Sequence, residues 1–278
     1  MKIRDTSSDA PPTLVVVIDP LRGVLYPERL PEFHRLAPPS SARGLVAWFW
    51  IPEWELGEGR SSRQHIVGYP ALNLVVDAEG VGLYGASTRA GHRDLTGSGW
   101  AVGALLRPAA VPALTDSAAE LRDRAASFVA PDLHAAVVAA MTGGGAGHRE
   151  QAAAAFADWL AARVGPLTSA SHQANTMADL LMTDASVLTA EDAAGRLAVS
   201  MRTLQRMAHR HVGVPPLAMI RRRRLQEAAQ RLREHPETDL ATLAAELGYA
   251  DHAHLSHDFR TVLGLAPSRY RIAVAADD

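Results

Sequence analysis

The sequence predicts an α+β protein in two parts. A β-rich, barrel- or sandwich-like amino-terminal domain precedes an all-α domain with two helix–turn–helix motifs joined by a linker helix. Three observations predict it. Short apolar runs broken by turn-forming residues fill the first part of the chain. Ala-rich segments with helical spacing follow from about Ser117. A carboxy-terminal stretch then repeats itself at an offset of 51 residues. The length of 278 residues suits two domains, expected at 1–167 and 168–278.

The expected strands are Thr13–Ile18, Leu45–Trp50, Ala71–Val76, Val81–Tyr84 and Ala101–Leu106. Between them lie turn formers such as Asp19-Pro20, Glu58-Gly59, Asp77–Gly80 and Thr96–Gly99. The Gly143–Gly147 run reads as a flexible loop; it lacks the Gly-Lys-Ser/Thr ending of a phosphate loop. Glu150–Val164 reads as a helix stopped by Gly165-Pro166. After a polar stretch from Thr168 to Asn175, everything from Met177 onward reads as helical.

The repeat carries the strongest signal. Ala193-Ala194 aligns with Ala244-Ala245, Leu204 with Leu255, Gly213 with Gly264 and Pro216 with Pro267. In the first copy Thr189 caps a helix over Ala190–Leu197, with Asp192 three residues on, and Ser200 caps a second helix to His211. In the second copy Asp239 caps a helix through Leu247, Gly248 turns the chain, and Asp251 caps the next helix. Small Ala residues on each first helix permit the close crossing that a helix–turn–helix requires.

In the helix from Met201, Leu204, Met207, Ala208 and His211 form the inward stripe. Arg202, Gln205, Arg206 and His209 cover the rest. Arg pairs bidentately with guanine and Gln with adenine, so this set carries major-groove chemistry. The next helix, about Leu217 to Glu234, bears the run Arg221–Arg224. From Ser200 to His235 there are nine Arg and two acids, a local balance of +7, although the whole chain sums to −2. Phosphate attraction follows the local field, so the near-neutral total does not exclude a nucleic-acid partner. Four consecutive Arg cover a full helical turn, and one or two are expected in salt bridges, for example with Glu227.

Residues 180–274 resemble the DNA-binding domain of the AraC family of transcription regulators. The resemblance rests on Ser200, Arg202–Arg206, His211–Pro216, Arg224-Leu225 and Ala228 in the first half. In the second half it rests on Leu243-Ala244, Leu247–Asp251, Leu255-Ser256, Phe259, Gly264, Pro267 and Tyr270-Arg271. It implies base reading by Arg202, Gln205 and Arg206, and by His252, Ala253 and His257 in the second motif. Phosphate contacts are expected from Ser200, Thr203, Arg221, Arg222, Arg224, Asp251, His254 and Ser256. Two departures stand out. Ala208 replaces a large aromatic usual in the family, and the second reading helix has no base-facing Arg and carries Asp258. His252, His254 and His257 lack a well-placed third ligand or carboxylate, so no metal and no cofactor are expected.

The amino-terminal part resembles the β-rich domain of a subset of these regulators through Arg22–Pro27, Trp48–Trp50, Gly68–Val76 and Leu106–Ala110. The resemblance implies effector binding or dimerisation, not catalysis. Trp48 and Trp50 alternate onto one strand face. With His65, Tyr69 and Trp100 they form the candidate ligand pocket; the plainer reading makes the Trp residues core.

Zero Cys excludes disulfides, a cysteine nucleophile and thiolate metal sites. It also removes the acceptor needed by DNA-repair methyltransferases of similar layout. No apolar run reaches membrane-spanning length, and Asp5, Asp9 and Asp19 around Leu14–Ile18 argue against a signal peptide. The expected protein is therefore a cytoplasmic, non-enzymatic regulator. Its expected partners are double-stranded DNA, a small-molecule effector, RNA polymerase and a second copy of the chain. The rival readings are a ligand-independent dimeric regulator and a β-barrel enzyme tethered to DNA.

Overall fold

The structure, a computed structural model, describes residues 32–66 and 69–275. The expected strand Thr13–Ile18 and the Arg22–Pro27 motif lie outside them. Among the described residues, six antiparallel strands form the main sheet, in the order β1-β2-β7-β4-β5-β8. These are β1 (Glu32–Leu36), β2 (Val46–Glu55), β4 (Asn73–Asp77), β5 (Val81–Tyr84), β7 (Ser98–Leu106) and β8 (Ala125–Ser127). β3 (Ser61–Ile66) and β6 (Gly91–Thr96) pair separately as a two-stranded sheet. The Trp54 indole donates to the Thr96 carbonyl at 3.2 Å, tying β6 to β2.

A bulge in β2 sets which side chains face the core. The register with β7 shifts between Val46 and Trp48, so the alternation of inward residues restarts there. Val46, Phe49 and Ile51 are buried in one cluster with Leu74, Val76, Val102 and Leu106. That face is covered by α1 (Pro131–Thr142) and α2 (His148–Val164), whose Leu133, Val137, Phe156 and Leu160 are fully buried in the same cluster. Phe49 and Phe156 meet with ring centroids 5.5 Å apart. Trp48, Trp50 and Trp54 take the opposite face. Cβ atoms at Gly103 and Gly99 would lie 2.0 Å from the Trp50 ring and 2.5 Å from the Trp54 ring, so only glycine lets these indoles lie flat on β7.

At the amino end of α2, His148 and Arg149 reach back to β2. Burial acts to raise the Glu53 carboxyl, but hydrogen bonds from Arg149 and His148 outweigh it and hold the group below its ordinary value. Arg149 also donates to Glu32 at 3.0 Å, so one guanidinium joins α2 to β1 and β2.

The expected polar stretch from Thr168 belongs to a helix. Thr168 caps α3 (Ser169–Thr183) by accepting from the Ser171 N–H. Six further helices follow: α4 (Ala190–Arg196), α5 (Met201–His211), α6 (Pro216–Glu234), α7 (Leu240–Glu246), α8 (His252–Leu263) and α9 (Pro267–Ala275). Thr189 and Asp192 form a reciprocal capping box, and Ser200, Asp239 and Asp251 each accept a backbone N–H at the predicted cap. Around α4 and α5, Leu204, Met207, Ala208, Met219 and Ile220 pack with Met177 and Leu181 of α3. Around α7 and α8, Leu225 and Leu232 of α6 pack with Leu243, Leu255, Phe259 and Tyr270. Among the described residues, no helix is long and apolar enough to cross a membrane.

α3 is also the bolt between the two parts. Asn175 is 6% exposed. Its Oδ1 accepts from the Ala109 N–H at 2.9 Å, and its Nδ2 donates to the Gly44 carbonyl at 2.8 Å. Arg107 pairs with Asp179 at 2.6 Å, and His211 Nδ1 donates to the Pro108 carbonyl at 2.9 Å.

Candidate nucleic-acid interface

α5 is amphipathic in a way that leaves one face for a partner. Leu204, Met207 and Ala208 are buried, while Arg202, Gln205, Arg206, His209 and Arg210 are exposed. Among the described residues these arginines form no ion pair, so their guanidinium donors are available. Ser200 Oγ accepts from the Thr203 N–H at 3.1 Å and fixes the start of the helix. Arg210 was missed in the sequence reading, although its position four residues after Arg206 places it on the same helical face. The exposed side chains line a cleft of about 470 Å³ whose other wall is Asp116 and Ser117 of the amino-terminal part.

On α8, His252, Ala253, His254 and His257 are exposed and Ser256 is half-buried. Asp251 Oδ1 accepts from the His254 N–H at 2.7 Å. Asp258 is not on the reading surface as the sequence implied. It is 2% exposed, ion-paired with Arg221 of α6, and its carboxylate lies 3.9 Å from His254 Nε2. The acid therefore fastens α8 to α6 and leaves a helix face of imidazoles and small residues.

The arginine run of α6 is largely engaged within the fold. Arg222 is 3% exposed and donates to the Val262 carbonyl at 3.1 Å, which corrects its expected role at phosphate. Burial lowers its pKa to about 10, the cost of holding a cation without a carboxylate beside it. Arg223 is 4% exposed and donates to the carbonyls of Asp184 and Val187. Arg224 donates to Leu188 at 2.6 Å and Gly248 at 3.3 Å, and its guanidinium stands over the Tyr249 ring. Burial pushes the Tyr249 phenol above its ordinary range. The expected Glu227 partner is Arg231 instead, at 2.6 Å. Arg221 and Arg224 remain half-buried, with part of each side chain facing solvent.

The candidate ligand pocket is divided by the sheet. Trp48 meets Tyr69 edge to face at 5.2 Å, and Arg35 stands 5.0 Å over the Trp48 ring. The Trp50 indole donates to Asn73 Oδ1 at 2.9 Å. Trp100, opposite Glu53 in the register, packs on the helix-covered face with the core and so is separated from Trp48 and Trp50. The side chain of His65 lies outside the described residues. Tyr69 also packs against the α3–α6 cluster, so it touches both parts of the chain. Among the described residues, no group of three or more His, Cys, Asp or Glu could hold a metal ion.

Comparison with known proteins follows this division. Residues 193–273 match a family described as a helix-turn-helix domain, and residues 34–127 match a domain of unknown function, DUF6597. An AraC-like transcription regulator of Streptomyces lividans is 36% identical over 124 residues, 45% of this chain and 39% of that protein. The HTH-type transcriptional activator RhaS of Escherichia fergusonii is 36% identical over 87 residues, 31% of each chain. The chain thus aligns with well under half the length of these relatives. Among solved structures, an apo form of ToxT from Vibrio cholerae matches with a TM-score of 0.42 at 13% identity, over 86% of this chain and 100% of that one. The C-terminal domain of AraT, a response regulator from Geobacillus stearothermophilus, matches with a TM-score of 0.34 at 25% identity, over 38% and 88%.

Proposed function

We propose that this chain, whose residues 193–273 match a helix-turn-helix domain family and which is similar to AraC-like regulators over part of its length, is a sequence-specific DNA-binding transcription regulator of the AraC type. The observation that carries the reading is the exposed row Arg202, Gln205, Arg206 on α5, backed by the buried Leu204, Met207 and Ala208. A second helix in this motif enters the major groove, where these side chains match guanine and adenine edges. α6, the 19-residue helix that joins the two motifs, is about 28 Å long at the helical rise, and α5 and α8 would each take one of two adjacent major grooves. The first motif supplies most of the affinity, because its cations are free, while α8 contributes through His252, Ala253 and His257. Ser200, Thr203, His254 and Ser256 lie in the first turns of these helices, where phosphates flank a groove-bound helix, and Asp251 fixes the start of α8 by accepting the His254 N–H.

The amino-terminal part is read as the effector-binding half. Its aromatic sheet face offers Trp48, Trp50 and Tyr69 for an apolar ligand, with Arg35 and Asn73 as polar contacts. Such a regulator works in the cytoplasm on double-stranded DNA. The names of the matched relatives support a regulator over an enzyme.

The test starts by enriching bound sequences from a random duplex pool with the full chain, then titrating the winner. Arg202→Ala and Arg206→Ala should each weaken that complex by about 5- to 150-fold, equal to about 1–3 kcal/mol. Wild-type affinity in both variants would sink the assignment.

A further inference from the structure

The cleft beside α5 is built from both parts of the chain. One wall carries Arg202, Gln205, Arg206 and Arg210; the other is Asp116 and Ser117. Asp116 is exposed and forms no ion pair among the described residues. Its segment is nonetheless held firmly. The Ser117 N–H donates to Thr115 Oγ1 at 3.2 Å, Ala118 is fully buried, and Arg122 Nε donates to the Gly213 carbonyl at 3.2 Å. A carboxylate without an ion pair among the described residues is therefore fixed across the cleft from the cationic surface of the reading helix.

We propose that Asp116 of the amino-terminal domain is an electrostatic brake on DNA entry at the first reading helix. The inference rests on the DNA-binding reading of α5. A helix in the major groove has a sugar–phosphate strand on either side. A strand on the cleft side of α5 comes up against the wall that carries Asp116. Arg210, which stands outside the base-reading row, attracts its phosphates, and the carboxylate repels them within about a Debye length, roughly 8 Å at physiological salt. The brake acts equally on every sequence, because it opposes the backbone and not the bases. It thus lowers non-specific affinity, which is mostly electrostatic.

The experiment titrates a labelled random-sequence duplex of about 30 base pairs, enough for two reading heads, with the full chain. Wild type is compared with Asp116→Asn and with Glu58→Gln. Glu58 is an exposed acid in the β2–β3 turn, at the far end of β2 from the helical domain. Asp116→Asn should bind about two- to fivefold more tightly at about 50 mM salt, and the gain should shrink at about 200 mM. Its thermal midpoint should match wild type, while Glu58→Gln should bind as wild type does. Unchanged affinity in Asp116→Asn, or an equal gain in Glu58→Gln, overturns the brake and leaves DNA binding standing. A wild type that binds no duplex at either salt removes the DNA-binding reading itself.

Discussion

Gly213 and Ala118 meet backbone to backbone across the junction of the two parts. Gly213 has φ +85°, and a Cβ there would lie 2.4 Å from the Ala118 carbonyl oxygen. The residue that ends the first reading helix is thus also the floor on which the amino-terminal part rests. Gly213→Ala adds left-handed strain of about 1 kcal/mol and a collision with an atom that cannot rotate away. We expect a total loss of about 2–4 kcal/mol, read as a lower urea midpoint. An Ala variant within about 0.5 kcal/mol of wild type would show that the junction yields freely.

The turn between α4 and α5 predicts the opposite sign. Ala198 has φ +52°, whereas the second motif places Gly248, at φ +72°, two residues after α7. Relief of left-handed strain is partly offset by the added freedom of glycine when unfolded. Ala198→Gly should therefore stabilise the chain by up to about 1 kcal/mol. Thermal unfolding checks it, and a lower midpoint would refute it.

Arg222 separates the charge of α6 from its availability. Arg222→Met removes a buried cation and one bond to the Val262 carbonyl, so the thermal midpoint should equal or exceed that of wild type. The slope of log affinity against log salt should stay unchanged, where loss of one phosphate contact would reduce it by about 0.9. A shallower slope would restore Arg222 to the phosphate set.

His211 gives the junction a pH dependence. Burial holds its imidazole below the ordinary value of 6.5, against the raising effect of the bond to Pro108, and nearby Arg210 lowers it further. Below about pH 6.5 the unfolded chain takes up a proton that folded His211 resists, so stability falls with pH until the folded pKa is passed. Above pH 6.5 this contribution is complete. Urea midpoints between about pH 7.5 and pH 5.5 should decline in wild type and decline less in His211→Gln. Parallel pH profiles for the two would contradict the assignment.

The helical half was legible because its signals are local. Thr189, Ser200, Asp239 and Asp251 cap where they were expected, since a cap needs only the N–H groups two or three residues ahead. In the β part, β5 and much of β2, β4 and β7 were visible as apolar runs. Glu32–Leu36, Ser61–Ile66, Gly91–Thr96 and Ala125–Ser127 were not, because they are polar or small and pair at the margins of the sheets. The bulge in β2 and the pairing of Glu53 with Trp100 are non-local, and they put Trp100 on the wrong side for the expected pocket. The arginine run was visible as charge, but its acceptors, such as the carbonyls of Leu188 and Val262, lie 36 and 40 residues away. Nothing in periodicity marked Asp116, since its meaning comes only from what stands across the cleft.

All five tryptophans, Trp48, Trp50, Trp54, Trp100 and Trp159, belong to the sheet and to α2, and none to the reading helices. The molecule therefore carries built-in optical labels on one half alone. Indole emission follows the sheet and the Trp48–Tyr69 contact, while far-ultraviolet dichroism is weighted toward the helices of the other half. If Asn175, His211 and Gly213 weld the halves as drawn, both signals should melt in a single coincident transition. Two separated transitions would instead reveal halves that part before either unfolds.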